Sequence, residues 1–120
     1  MMVRALRGAI TPDDNTREDI VRSTVKLLEE LLDRNDVATD DVVFIIFTAT
    51  EDLTAEFPAA AVRKIGLSHI PVMCARELSV EESLPRTVRV MMLINTDKAR
   101  EQLRHVYLKD ARQLRTDLPE

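Results

Sequence analysis

A single arginine inside a long apolar run constrains this chain more than any other feature. The run reads Val88-Arg89-Val90-Met91-Met92-Leu93-Ile94-Asn95-Thr96, introduced by Pro85-Arg86-Thr87. Strand alternation sets Arg89, Met91, Leu93 and Asn95 on one face and Val88, Val90, Met92 and Ile94 on the other. Both faces are apolar, so the run predicts a central strand of a sheet. A guanidinium cannot shed its charge, and an unpaired charge in an apolar site costs several kcal/mol or more. Arg89 therefore requires an anionic partner, supplied by the protein or by a ligand.

The remaining chain reads as strands and helices in alternation. Val3 to Ile10 predicts a first strand in which Arg7 shares a face with the small residues Ala5 and Ala9, which leaves room beside its guanidinium. An exposed arginine on an edge strand is the plainer alternative for Arg7. The turn Thr11-Pro12-Asp13-Asp14-Asn15 leads into a helix from Arg17 to Arg34. Thr16 is its expected N-cap, and Ile20, Thr24, Leu27, Leu28 and Leu31 form its apolar stripe. Asn35 is expected to end it in a left-handed conformation. Val42 to Thr50, nearly continuous in apolar and β-branched residues, predicts a strand buried on both faces.

Phe57 to Gly66 predicts a short helix, with Pro58 in its first turn and Gly66 at its stop. Phe57 stands ahead of it, as a pocket cap or as a core plug. Ile70 to Glu77 predicts a third strand, with Glu77 closing an otherwise apolar face and Arg89, in the next strand, as its natural partner. Arg104 to Leu108 is a short strand carrying His105 and Tyr107. The polar tail from Lys109 to Glu120 is expected to be mobile, with Leu114, Arg115 and Leu118 as its contacts. The order predicts one α+β domain over residues 1–120, a mixed sheet packed against helices.

Composition narrows the function classes. The net charge of -4 argues against a general nucleic-acid binder, so an anionic ligand would need a local arginine cluster. No apolar run approaches the roughly 20 residues of a membrane helix. Met1-Met2-Val3-Arg4 leads straight into a strand pattern without a cleavage site, so no signal peptide is expected. Cys74 is the only cysteine, which forbids an intrachain disulfide and suits a reducing cytoplasm. No His or acid stands in fixed relation to Cys74 that would make it a nucleophile. Glu51-Asp52 lacks the further ligands a metal site needs, so no metal is expected.

Several fragments carry a family pattern: Arg7-Gly8-Ala9, Thr48-Ala49-Thr50-Glu51-Asp52-Leu53, Phe57-Pro58-Ala59, Cys74-Ala75-Arg76-Glu77, Arg89-Val90, Asn95-Thr96-Asp97 and Arg104-His105-Val106-Tyr107-Leu108. In order and spacing they resemble the monofunctional AroH class of chorismate mutases, from Met1 to about Leu118. The pattern departs at Ala60, where some members carry lysine, and at Met73, where a small hydroxyl residue is common.

The resemblance implies an isomerase that rearranges chorismate to prephenate on the route to the aromatic amino acids, without cofactor or metal. It implies a homotrimer built as a pseudo α/β-barrel, with active sites between subunits. It casts Arg89 and Glu77 as catalytic, and Arg7 and Tyr107 as carboxylate contacts. Phe57, Ala59 and Arg63 would come from the adjacent subunit. Met73, Cys74, Leu114 and Arg115 would complete the substrate contacts. Two rivals share this outline: a trimeric imine deaminase or small-molecule binder of the YjgF type, and a structural oligomer in which Arg89 and Glu77 form only an ion pair.

Overall fold

A computed structural model describes residues 1–119 of the chain; Glu120, the last residue of the tail, lies outside the described residues. Strand β1 spans Met2–Ile10, helix α1 Arg17–Arg34, β2 Val42–Ala49, β3 Val72–Arg76, β4 Val88–Thr96 and β5 Val106–Leu108. Short 3₁₀ helices occupy the connections, the longest over Pro58–Ile65. The sheet order is β3-β2-β4-β1-β5. β4 is antiparallel to both neighbours, whereas β1 with β5 and β2 with β3 pair in parallel. The expected mixed sheet is therefore present, with the arginine-bearing strand at its centre.

One face of the sheet is closed by α1. Leu6 and Ile10 of β1, Ile45 and Phe47 of β2, and Val88, Val90, Met92 and Ile94 of β4 meet Ile20, Leu27, Leu28 and Leu31 of the helix in one core. Each such side chain stabilises by about 1.5–3 kcal/mol when fully buried, so this face dominates the stability of the subunit. The opposite face is open in the single chain: Met73 is 62% exposed and Met91 37%.

Thr16 caps α1 by accepting from the Asp19 N–H, as its position suggested. Four expectations change. Asn35 keeps an ordinary backbone, and Asp36 takes the left-handed conformation (φ 53). Asn35 is instead buried, and its side-chain amide clamps the entry to β5. Its Nδ2 donates to the Leu31 and Arg104 carbonyls at 2.8 Å each, and its Oδ1 accepts from the Arg104 N–H at 2.7 Å.

β1 lies between β4 and β5, so Arg7 is not on an edge strand. β2 is closed on its helix side only: a bulge between Val42 and Phe44 shifts its register, and Ile46 and Thr48 face the open side half-buried. Finally, β3 is not adjacent to β4, because β2 separates them. The tail carries a 3₁₀ helix over Lys109–Leu114 with Ala111 fully buried and the Asp110 N–H donated to Thr11 Oγ1.

At Gly8, β1 meets both β5 and α1. A Cβ there would stand 2.7 Å from the Val106 carbonyl oxygen and 3.0 Å from Leu27 Cδ1. The carbonyl belongs to a paired strand and cannot give way cheaply. Gly8→Ala is expected to cost about 1–3 kcal/mol, read as a lowered urea midpoint with unchanged slope. An unaltered midpoint would show that this contact is not tight.

Candidate active site

Strand register assembles the open face into rows. One row crosses the whole sheet: Tyr107 on β5 pairs with Ala9 on β1, Ala9 with Arg89 on β4, Arg89 with Thr48 on β2, and Thr48 with Ala75 on β3. Strands lie about 4.8 Å apart, so the residues flanking Arg89 decide how much space its guanidinium has. Both are small. The start of β4 is fixed just ahead of it. Thr87 donates its N–H to Thr50 Oγ1 at 2.9 Å, and the Asp52 carboxylate accepts from the Arg86 N–H. Asp52 is thus a loop brace.

Glu77 reaches Arg89 across β2. Its backbone N–H donates to the Ala49 carbonyl at 2.9 Å, which extends β3 past its last paired residue. Its Oε1 lies 3.0 Å from Arg89 Nε, and its Oε2 accepts a 2.5 Å hydrogen bond from Thr48 Oγ1. The expected partnership is therefore present, although the two residues are not on adjacent strands.

The contact between them is Coulombic rather than a formed hydrogen bond: Arg89 Nε is buried, yet its N–H aims at no acceptor among the described residues. The Arg89 side chain is about a third exposed (33%), so solvent screening holds such a pair to about 0–1 kcal/mol. That is less than one buried leucine supplies. Stability alone gives little reason to keep a guanidinium in the centre of the sheet.

Arg7 lies one row along from Arg89, opposite Met91, with its side chain exposed. Tyr107 is largely buried, packed with Ala9 and Ala111 and covered by Leu84, Leu114 and Leu118. Arg115 follows in the same tail. It grips Asp117 through Nε and Nη2 at 3.2 Å each, which raises its pKa, with a smaller contribution from Tyr107. His105, Tyr107, Arg112 and Arg115 line a cavity of about 210 Å³.

A second group of predicted residues gathers around the β3 edge. Phe57 is 70% exposed, so it is no core plug. It lines a cavity of about 400 Å³ with Ala59, Arg63 and Val72, and one of about 360 Å³ with Cys74, Ala75 and Arg76. Ala59 and Cys74 pack against the core on the helix side. Burial pushes the Cys74 thiol pKa up, partly offset by a hydrogen bond with the Ala59 backbone. Met73 points the other way, onto the open face.

The structure thus brings Arg7, Arg89, Glu77 and Tyr107 onto one face with Leu114 and Arg115 at its rim. Phe57, Ala59, Arg63 and Cys74 stand apart, around the edge strand. Thr48 was missed from the sequence. Its signal was there, as the hydroxyl that interrupts an otherwise apolar strand.

Comparison with known proteins decides what this arrangement belongs to. The family model for chorismate mutase type I matches residues 3–118. The chain belongs to that family. It is 48% identical over 118 residues to the chorismate mutase AroH of Thermus thermophilus, across 98% of this chain and 97% of that protein. It is 44% identical over 119 residues to the chorismate mutase AroH of Bacillus subtilis, across 98% of this chain and 94% of that one. The solved structure of a Clostridium thermocellum chorismate mutase superposes with a TM-score of 0.90 at 46% identity, over 92% of this chain and 98% of that chain. The monofunctional family indicated by the sequence fragments is thereby established.

The Cys74 environment carries its own test. A raised pKa leaves less thiolate at a given pH, and the thiolate is what alkylates. Iodoacetamide at pH 8 is expected to modify Cys74 several-fold more slowly than free cysteine, followed by mass spectrometry. An equal or faster rate would reveal an activated thiol.

Proposed function

We propose that this chain catalyses the rearrangement of chorismate to prephenate on an open sheet face completed by a neighbouring subunit. Membership of the chorismate mutase family supports the reaction. The observation that carries the mechanism is Arg89, a permanent cation at the sheet centre with small neighbours and an incompletely satisfied donor set. Nothing in the family match or the relatives favours the imine deaminase alternative.

The chemistry suits such a site. Chorismate carries two carboxylates, an enolpyruvyl ether and a secondary hydroxyl. In the reaction the ether C–O bond breaks as a new C–C bond forms, within one molecule and without proton transfer. The substrate must adopt a compact chair, and fixed clamps remove the entropic cost of that conformation. Negative charge develops on the ether oxygen as its bond to carbon breaks. A preorganised cation aimed there contributes about 3–4 kcal/mol, by analogy with an oxyanion-hole donor.

Arg89 takes this role. Glu77, braced by Thr48, orients the guanidinium and accepts from the substrate hydroxyl. Arg7 and Tyr107 hold carboxylate, while Leu114 and Arg115 close the rim.

With Met73 and Cys74 completing the substrate contacts, Phe57, Ala59 and Arg63 reach a cleft from the adjacent subunit. Their separation from Arg89 within one chain supports this division, and the exposed Met73 and Met91 support burial of the open face in a homotrimeric barrel. A heterologous contact repeated around a threefold axis closes into such a ring. The unpaired thiol fits a cytoplasmic setting.

Arg89→Lys is expected to lower kcat by about a hundredfold or more with the fold intact, because an ammonium cannot reproduce the guanidinium fork. A loss below about tenfold, or roughly 1.4 kcal/mol of barrier, would remove Arg89 from the breaking bond.

Subunit sharing has a separate test. Arg89→Ala and Ala59→Trp, each inactive alone, are denatured together and refolded. Random mixing leaves about one cleft in four with both halves intact, so activity should return toward a quarter of wild type. No recovery in mixed trimers verified by mass spectrometry would place both residues on one side of the cleft.

A further inference from the structure

Strand β5 is only three residues long, and its pairing with β1 begins at Gly8 opposite Val106. The Arg7 backbone N–H therefore comes before the β5 ladder. A side chain fills the gap: His105 Nδ1 accepts from the Arg7 N–H at 2.9 Å. His105 is held in turn through its neighbour. The buried amide of Asn35 grips both the N–H and the carbonyl of Arg104. Two hydrogen bonds from Asn35, the Arg104–His105 peptide link and the His105 imidazole thus connect the end of α1 to the backbone of Arg7.

We propose that His105 is a positioning residue for substrate binding, holding the Arg7 backbone so that its guanidinium meets a substrate carboxylate. The inference rests on Arg7 being a carboxylate contact, as argued above. It requires a neutral imidazole with its proton on Nε2, since only then does Nδ1 offer a lone pair. Protonation would set one N–H against another and release the Arg7 backbone.

The surroundings favour the neutral form. Burial lowers the His105 pKa, and the Arg7 and Arg115 charges lower it further. Arg7 faces it from β1. Arg112 and Arg115 face the same cavity from the tail, where Tyr107 of β5 is also present and Asp117 is taken up by Arg115. A second cation beside Arg7 would also attract an anionic substrate, so the anchoring effect and the charge effect oppose each other as pH falls.

Asparagine separates the two, because its Oδ1 sits where Nδ1 does and accepts at every pH. Steady-state kinetics with chorismate from pH 5 to 8 are measured for wild type, His105→Ala and His105→Asn. Anchoring predicts that His105→Ala raises KM about tenfold at pH 7.5 with kcat within about twofold, a split that marks uniform binding. His105→Asn should restore KM. Wild-type KM should climb only once the pH has fallen past the ordinary imidazole range, because the His105 pKa is lowered, and the asparagine variant should lack that climb.

An unchanged KM in His105→Ala, or an equally raised KM in His105→Asn, would overturn the proposal. So would a wild-type KM that falls with acidity. Amide hydrogen exchange at Arg7 gives a readout independent of turnover. It should be slow in wild type and His105→Asn and at least about tenfold faster in His105→Ala; fast exchange in wild type would refute the anchor. If wild type fails to convert chorismate while Arg7 remains protected, the reaction assignment fails and the anchor stands. If Arg7→Ala leaves KM unchanged, Arg7 is no carboxylate contact and the proposal falls with that reading.

Discussion

The charge of Arg89 at the centre of the sheet is the constraint around which the site is arranged. A guanidinium there demands small neighbours, and Ala9 and Thr48 supply them on both sides. It demands an anion, and Glu77 arrives from beyond the end of β3, held by the Thr48 hydroxyl and by a backbone bond to Ala49. Yet Nε–H lacks an aligned acceptor among the described residues, and the side chain is partly open. In the proposed reading, such a group is preorganised toward the substrate. An arrangement built for stability would have met its donors from within or replaced the pair with apolar residues.

The two sides of the sheet divide the work. The α1 side is filled with aliphatic side chains and Phe47, and it is responsible for the fold. The open side holds the charged and hydroxyl groups in register. Because alternation is unbroken along β4, each of its residues belongs wholly to one side or the other. Val88 and Val90 anchor into the core while Arg89 between them faces the open side. A rigid core thereby fixes the direction in which Arg89 points.

Periodicity made most of this legible. The α1 limits, the Thr16 cap, the Gly66 stop and the two faces of β4 follow from spacing and local chemistry. Strand order does not. Glu77 and Arg89 were paired correctly for the wrong geometric reason, since sequence neighbours need not be sheet neighbours and β2 lies between them. The bulge at Val42/Phe44 was invisible because every residue there is compatible with a strand. Asn35 was assigned by its tolerance of left-handed backbone, when its side-chain amide matters more. Thr48 shows the general difficulty: a hydroxyl in an apolar run signals a polar partner, but the partner can be named only once the sheet is assembled.

The position of β4 also bears on how the chain acquires its structure. β1 is made first, yet both strands that flank it, β4 and β5, follow residue 87. β2 and β3 can pair with one another earlier, and the 3₁₀ helix over Pro58–Ile65 can pack on them, but the first strand has no sheet partner until the arginine-bearing segment inserts between the two halves. Insertion joins β1 to β2 and aligns the row from Ala9 to Ala75, which Tyr107 then extends from β5. During synthesis on the ribosome, an emerging N-terminal strand with exposed backbone groups must therefore wait for most of the chain. Closure of long loops of this kind slows folding and exposes unpaired edges. The residue that gives the site its charge thus lies in the last large piece of the sheet to be laid down, and a nascent chain that stalls before it has neither a finished sheet nor a site.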